Sequence, residues 1–143
     1  MFSILWKKDF YVANDLISFP LYIIADGNTF PDDEWTDFGV VVLRWWLSAI
    51  QSAELNKAKC FELVFMDGPY IIECQREDQN VHMTFVCKRR CDSVLFEYKT
   101  SFSTLMAEVV RTSKEILKYT RQLGLSNKEL DKLSQMLRVY SPH

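Results

Sequence analysis

The chain has 143 residues, 48% of them hydrophobic and 25% charged, with four Trp, ten Phe and six Tyr. That length and apolar content predict a single globular domain spanning residues 1–143 with a dense aromatic core, and they exclude a disordered chain. A formal net charge of −2 creates no overall field for a nucleic acid or an anionic membrane, so both are disfavoured as partners.

The N-terminal stretch Met1–Lys8 lacks the basic start, long apolar run and small-residue cleavage site of a signal peptide. No apolar run approaches the roughly 20 residues of a membrane helix, and the expectation is a cytoplasmic protein. Residues 2–12 bunch their apolar side chains around Lys7-Lys8-Asp9, which fits two short extended segments or a strand and a loop. Leu21–Ala25 is a clearer strand, preceded by Pro20 and stopped by the turn residues Asp26-Gly27-Asn28.

That strand is expected to lead straight into a central helix over 30–55. Pro31 followed by Asp32, Asp33 and Glu34 has the composition of a helix first turn, where a missing N–H costs nothing and carboxylates meet the positive end of the helix dipole. On a helical period Trp35, Phe38, Val42, Trp45 and Ala49 form one apolar row, and Val40, Leu43, Leu47 and Ile50 form another. Only Asp37, Arg44, Ser48 and Gln51 are left as a polar stripe. Such a helix must be covered on more than one side.

Beyond Glu54–Lys57, read as the helix's frayed end, alternation replaces the helical rows. Residues 60–65, 70–75, 81–87 and 94–99 each alternate, separated by Asp67-Gly68, by residues 77–80 and by Lys88-Arg89-Arg90. They predict a four-strand antiparallel meander with one apolar and one mixed face. An amphipathic helix follows, capped by Ser101 or Ser103, with Phe102, Leu105, Met106, Val109, Ile116, Leu117, Thr120 and Leu123 inward and Gly124 as terminator. Ser126-Asn127-Lys128-Glu129 predicts a capping box before a last helix bearing the stripe Leu130, Leu133, Leu137 and Tyr140, and Ser141-Pro142-His143 is tail. The fold class is therefore α+β: short N-terminal strands and a meander packed on a buried central helix and two C-terminal helices.

Catalytic and metal chemistry find little support in these residues. His82 alternates onto the mixed sheet face, His143 is terminal, and no serine elbow, phosphate loop or dinucleotide fingerprint is present. An acid–base site drawn from Asp37, Arg44 and His82 has no spacing that favours it over a buried salt bridge. Cys60, Cys74, Cys87 and Cys91 lack the paired spacing of a metal site and read as reduced thiols. Cys60 and Cys74 are expected to be buried, and a Cys87–Cys91 disulfide stays open. No cofactor is implied. The basic turn Lys88-Arg89-Arg90 has the character of a solvated hairpin tip.

Asp26, Asp32, Asp33, Glu34 and Asp37 crowd one end of the predicted helix, more acids than capping requires. The surplus fits a negative patch offered to a basic partner.

The run Asp32-Asp33-Glu34-Trp35-Thr36-Asp37-Phe38 leading to Arg44-Trp45-Trp46-Leu47, followed by Phe65-Met66-Asp67-Gly68-Pro69-Tyr70, resembles small bacterial immunity proteins encoded beside contact-dependent growth-inhibition or polymorphic toxins. The resemblance covers the middle third of the chain and the order of its elements. It implies a small cytosolic, non-enzymatic antitoxin that binds the C-terminal toxin domain of one cognate effector, in many such systems a nuclease with a basic cleft. No contact residue transfers by motif, so the candidate surface is chosen on physical grounds: Asp32, Asp33, Glu34 and Asp37 as an acidic patch, with Asp67 and Tyr70 as rim and anchor. The alternative class is a nucleic-acid-binding or assembly module working through the mixed sheet face, against which Glu62, Glu73 and Glu97 count.

Overall fold

A computed structural model of the chain describes residues 1–89 and 92–140. In chain order the elements are β1 (Phe2–Trp6), β2 (Tyr11–Ala13), β3 (Leu16–Ala25), β4 (Asn28–Phe30), β5 (Thr36–Asp37) and α1 (Gly39–Asn56). The meander follows as β6 (Cys60–Val64), β7 (Tyr70–Glu77), β8 (Asn80–Lys88) and β9 (Asp92–Ser101). Two helices close the chain, α2 (Phe102–Gln122) and α3 (Lys128–Leu137), with a 3-10 turn over Arg138–Tyr140. The class is α+β, as the periodicities predict, and among the described residues no helix is long and apolar enough to cross a membrane.

The N-terminal sheet is built around β3, which is longer than the five residues its apolar run suggested. β1 pairs antiparallel with its C-terminal half, Phe2 opposite Ala25, and β2 with its N-terminal half, Tyr11 opposite Ser18. Pro20 lies where one pairing gives way to the other, so its missing N–H breaks no ladder, while its carbonyl accepts from Lys7 N at 3.1 Å. The weakly patterned N-terminus thus resolves as two strands. β4 pairs with Ile23–Ala25 and β5 with Phe19–Pro20.

The strongest departure from expectation lies here. The strand does not lead straight into the helix, and Phe30–Asp37 is not helical; α1 begins only at Gly39, with no acidic residue in its first turn. Tertiary pairing outcompetes the local helix signal, because β3 takes up this segment's backbone groups. Trp35 O accepts from Leu21 N at 3.0 Å, and Thr36 and Asp37 sit opposite Pro20 and Phe19. Trp35, Phe38 and Asp37 therefore leave the helical rows assigned to them. From Val40 onward the expectation of a helix covered on several sides holds, with Val40, Val41, Val42, Leu43, Trp46, Leu47, Ile50 and Ala53 all buried. The polar stripe is also used: Arg44 Nε donates to Glu129 Oε2 of α3 at 2.7 Å. Helix α1 runs on to Asn56 and ends on Lys57 in a left-handed conformation, within the stretch read as its end.

The meander has the order β6-β7-β8-β9, and Leu63, Ile72, Cys74, Met83 and Phe85 form its buried face. A bulge displaces the β8–β9 register: Phe85 faces Phe96 but Val86 faces Val94, so Leu95 is the extra residue. Beyond the bulge Val94 is turned to the surface, against the alternation read from sequence, and is 58% exposed. Rings from both sheets meet: Phe30 packs edge-on to Phe85 and Phe96, and Phe2 stacks on Tyr98.

Ser101 caps α2, its side chain accepting from Thr104 N. Leu123, assigned to the inward row, is exposed because α2 ends at Gln122 and the chain turns away at Gly124. Helix α3 is capped by Asn127, not by a Ser126/Glu129 box: Asn127 Oδ1 accepts from Leu130 N at 2.8 Å, and Glu129 is committed to Arg44 instead. The tail residues 141–143 lie outside the described residues.

α2 also closes the open edge of β1. Glu108 Oε2 accepts from Ile4 N at 3.0 Å, and Arg111 Nη2 donates to Ile4 O at 3.1 Å. Arg111 bridges Glu108 and Glu115 as well, at 2.8 and 2.7 Å. Partial burial pushes the Glu108 carboxyl up, but the hydrogen bonds from Arg111 and Ile4 N–H and the guanidinium charge outweigh it, and the net shift is downward. A lowered folded value means this contribution is present above the ordinary glutamate pKa and is lost as pH falls through the folded one. Arg111→Ala is expected to destabilise by about 1–2 kcal/mol near neutrality. The deficit should shrink in acid, as urea melts across pH would show.

Candidate partner-binding site

Asp37 connects the two segments that the sequence singled out separately. Trp35 and Asp37 stand two apart on extended chain, so both point inward. Asp37 is only 2% exposed. Its Oδ1 accepts from Phe38 N at 2.8 Å, and its Oδ2 accepts from Trp35 Nε1 and from Asp67 N, both at 3.2 Å. Residues 35–38 are thereby tied to the hairpin between β6 and β7.

Apolar packing reinforces the tie. The Trp35 ring meets Tyr70 edge-on at 5.1 Å and Phe65 at 6.2 Å. Gly68, at φ +78°, lets the indole approach so closely that an added Cβ would lie 2.5 Å from it. No cation neutralises Asp37 among the described residues. Burial raises its pKa; the three N–H donors offset that only in part, and the nearby Asp67 carboxylate adds to it.

Asp37 is thus a buried strut and not part of an exposed patch. Asp32, Asp33 and Glu34 remain exposed on the loop before it, shaped by Asp32 Oδ1 accepting from Glu34 N at 2.9 Å and by Lys7 Nζ donating to Asp33 O at 3.1 Å. Asp67 is exposed and Tyr70 half-buried on the hairpin held against that loop. Asp26 belongs elsewhere, in the β3–β4 turn, where its N–H bonds Met1 O. Among the described residues none of Asp32, Asp33, Glu34 or Asp67 is ion-paired. Trp35, Phe65 and Gly68, which position this surface, were not among the candidate residues. The two-residue spacing of Trp35 and Asp37, inward-pointing on a strand, was the available signal.

The other chemical candidates stay apart. Arg44 is bound to Glu129, and His82 Nε2 lies 2.9 Å from Glu97 on the outer face of the meander. No hydrogen bond or ion pair among the described residues joins Asp37, Arg44 and His82. The outer face carries a shallow depression of about 550 Å³ lined by Glu62, Glu73, Gln75, His82 and Thr84 with Cys60 at its border. Cross-strand registers place Glu62, Glu73, Thr84 and Glu97 in one row, an arrangement that repels phosphate. At the basic tip, Lys88 faces Glu73 and Asp92 at 3.6 and 3.7 Å; Arg90 lies outside the described residues.

Cys74 is buried, and burial pushes its thiol pKa up. Cys60, expected to be buried, is exposed because it opens the outer edge strand on the mixed face. Cys87 is a free, half-buried thiol, and Cys91, with the disulfide considered for it, lies outside the described residues. Among the described residues no cluster of three His, Cys, Asp or Glu side chains could hold a metal ion.

Scans against protein-family models, curated proteins and solved structures find no match to this chain.

Proposed function

We propose that the chain is a cytoplasmic immunity protein that neutralises one cognate toxin domain by stoichiometric binding rather than by catalysis. The observation that carries this reading is the union of two segments at one surface. Residues 32–34 and the Asp67–Tyr70 hairpin, both part of the resemblance to immunity proteins, are held side by side by Asp37 and Trp35. Four exposed carboxylates without ion-pair partners among the described residues are presented beside a half-buried tyrosine. That is the composition of a surface that steers a basic partner inward and anchors it on an aromatic ring. A nuclease toxin with a cationic substrate cleft is such a partner.

The test is co-purification of the tagged protein with the product of the gene immediately upstream, followed by calorimetry and a survival assay in cells expressing the toxic domain. Submicromolar one-to-one binding with rescue of growth is expected. Asp33→Lys combined with Glu34→Lys should lower the affinity at least about tenfold, or about 1.4 kcal/mol, and slow association most at low salt. Unchanged affinity in a folded double variant removes this surface from the account. Absence of any retained toxic partner removes the reading itself.

A further inference from the structure

We infer that β9 is a self-association edge, and that two copies of the chain pair antiparallel through it about a two-fold axis at Tyr98. At ten residues β9 is twice the length of β6, the strand at the other side of the meander. Among the described residues no strand pairs with its outer side. A long strand edge presents a row of free N–H and C=O groups, and folded proteins usually blunt one with proline, bulges or charge. Here residues 96–101 contain no proline, and the bulge lies before them at Leu95.

What remains is charge, and its arrangement favours pairing. Glu97 and Lys99 both lie on the outer face, opposite Thr84 and His82 of β8. Opposite signs two residues apart become complementary when the strand meets its own copy in reverse. With Tyr98 on the axis, Glu97 of each copy faces Lys99 of the other, giving two cross-strand ion pairs related by symmetry.

The same two charges select the register. An axis at Glu97 or at Lys99 sets like charges directly opposite, and an axis at Phe96 or earlier brings the bulge into the ladder. With the axis at Tyr98, Leu95, which is 49% exposed, comes opposite Ser101 and marks the end of the paired stretch. The two meanders would then form one continuous eight-strand sheet. The intrachain pairs given up lie at the surface, Glu97 with the half-buried His82 at 2.9 Å and Lys99 with the exposed Glu77 at 3.2 Å, where such pairs contribute little. This inference is independent of the toxin-binding surface, which lies on other segments.

Sedimentation equilibrium of the purified full chain over a wide concentration range tests it, beside Glu97→Lys, Lys99→Glu and the double reversal. The wild type is expected to dimerise. Each single reversal should shift the equilibrium at least tenfold toward monomer, and the double reversal should restore the dimer. Far-UV circular dichroism spectra, expected to be unchanged at these positions, confirm that each variant is folded, and the melting temperature should follow the dimer, falling in the single reversals and recovering in the double. The inference is overturned if the wild type stays monomeric at its highest soluble concentration, if single reversals leave a dimer intact, or if the double reversal fails to restore it.

Discussion

Asp37→Ala is expected to destabilise the protein by about 3 kcal/mol or more, a large share of the roughly 5–15 kcal/mol that holds a domain of this size folded. The carboxylate accepts from three N–H groups, Phe38 N, Trp35 Nε1 and Asp67 N. Deleting it strands donors in a site with little solvent access, and an unmet buried donor costs more than a met one contributes. The isosteric change Asp37→Asn would not repair this. The amide's single oxygen can serve Phe38 or the Trp35/Asp67 pair, and its NH₂ must then confront donors on the other side. Urea melts of wild type, Asp37→Ala and Asp37→Asn would read the losses. The surface should fail with the fold, since residues 32–34 and 67–70 lose their common strut.

The pH dependence of Asp37 has the opposite sign to that of Glu108. Burial raises its folded-state pKa above the unfolded value, so the folded protein holds this proton more tightly. Its contribution to stability is therefore greatest below the unfolded pKa and declines as pH rises through the raised folded one. The stability advantage of wild type over Asp37→Asn should shrink across that interval. An advantage that grew with pH would mean that the three N–H donors outweigh burial and hold the folded pKa below the unfolded one.

Gly39→Ala is the second large effect, expected at about 3 kcal/mol, at the upper end for overpacked cores. Gly39 opens α1, where alanine would ordinarily help a helix. An added Cβ, however, would run into Cζ and both Cε atoms of the Phe19 ring. The ring has nowhere to go: Phe19 is fully buried, stacked on Phe10 at 4.5 Å and edge-on to Trp6. Phe19→Leu, which removes the colliding ring atoms, should recover part of the loss when combined with Gly39→Ala. A double variant no more stable than the two single losses added together would show that the collision is not the cause.

Periodicity was enough to locate most elements. Alternation over 60–99 required a meander, since only a strand puts residues two apart on one face, and the pairings β6-β7-β8-β9 follow that order. The apolar rows of α1 and α2 were equally plain, because a solvated helix cannot carry them. Capping was legible only in outline. Ser126 and Asn127 are adjacent and of similar rank as caps; Asn127 takes the role, and Glu129 pairs with Arg44 instead of closing a box.

The candidate surface was half legible. Asp32, Asp33, Glu34 and Asp67 are exposed as their charge alone would suggest. Asp37 carries the same charge, and only its two-residue spacing from Trp35 hints at a different fate; it is buried, and three N–H donors from Trp35, Phe38 and a hairpin thirty residues away converge on it.

The sequence by itself determined the α+β class, the order of the central helix, meander and two C-terminal helices, the buried nature of α1 and the surplus of acids before it. Each follows from short-range period or composition. Only the tertiary structure decided that Phe30–Asp37 pairs with β3 instead of starting the helix, that Asp37 is a strut, and that Gly39 must remain glycine beside Phe19. Those outcomes depend on which distant group reaches a backbone donor or a volume first, and no local pattern carries that information.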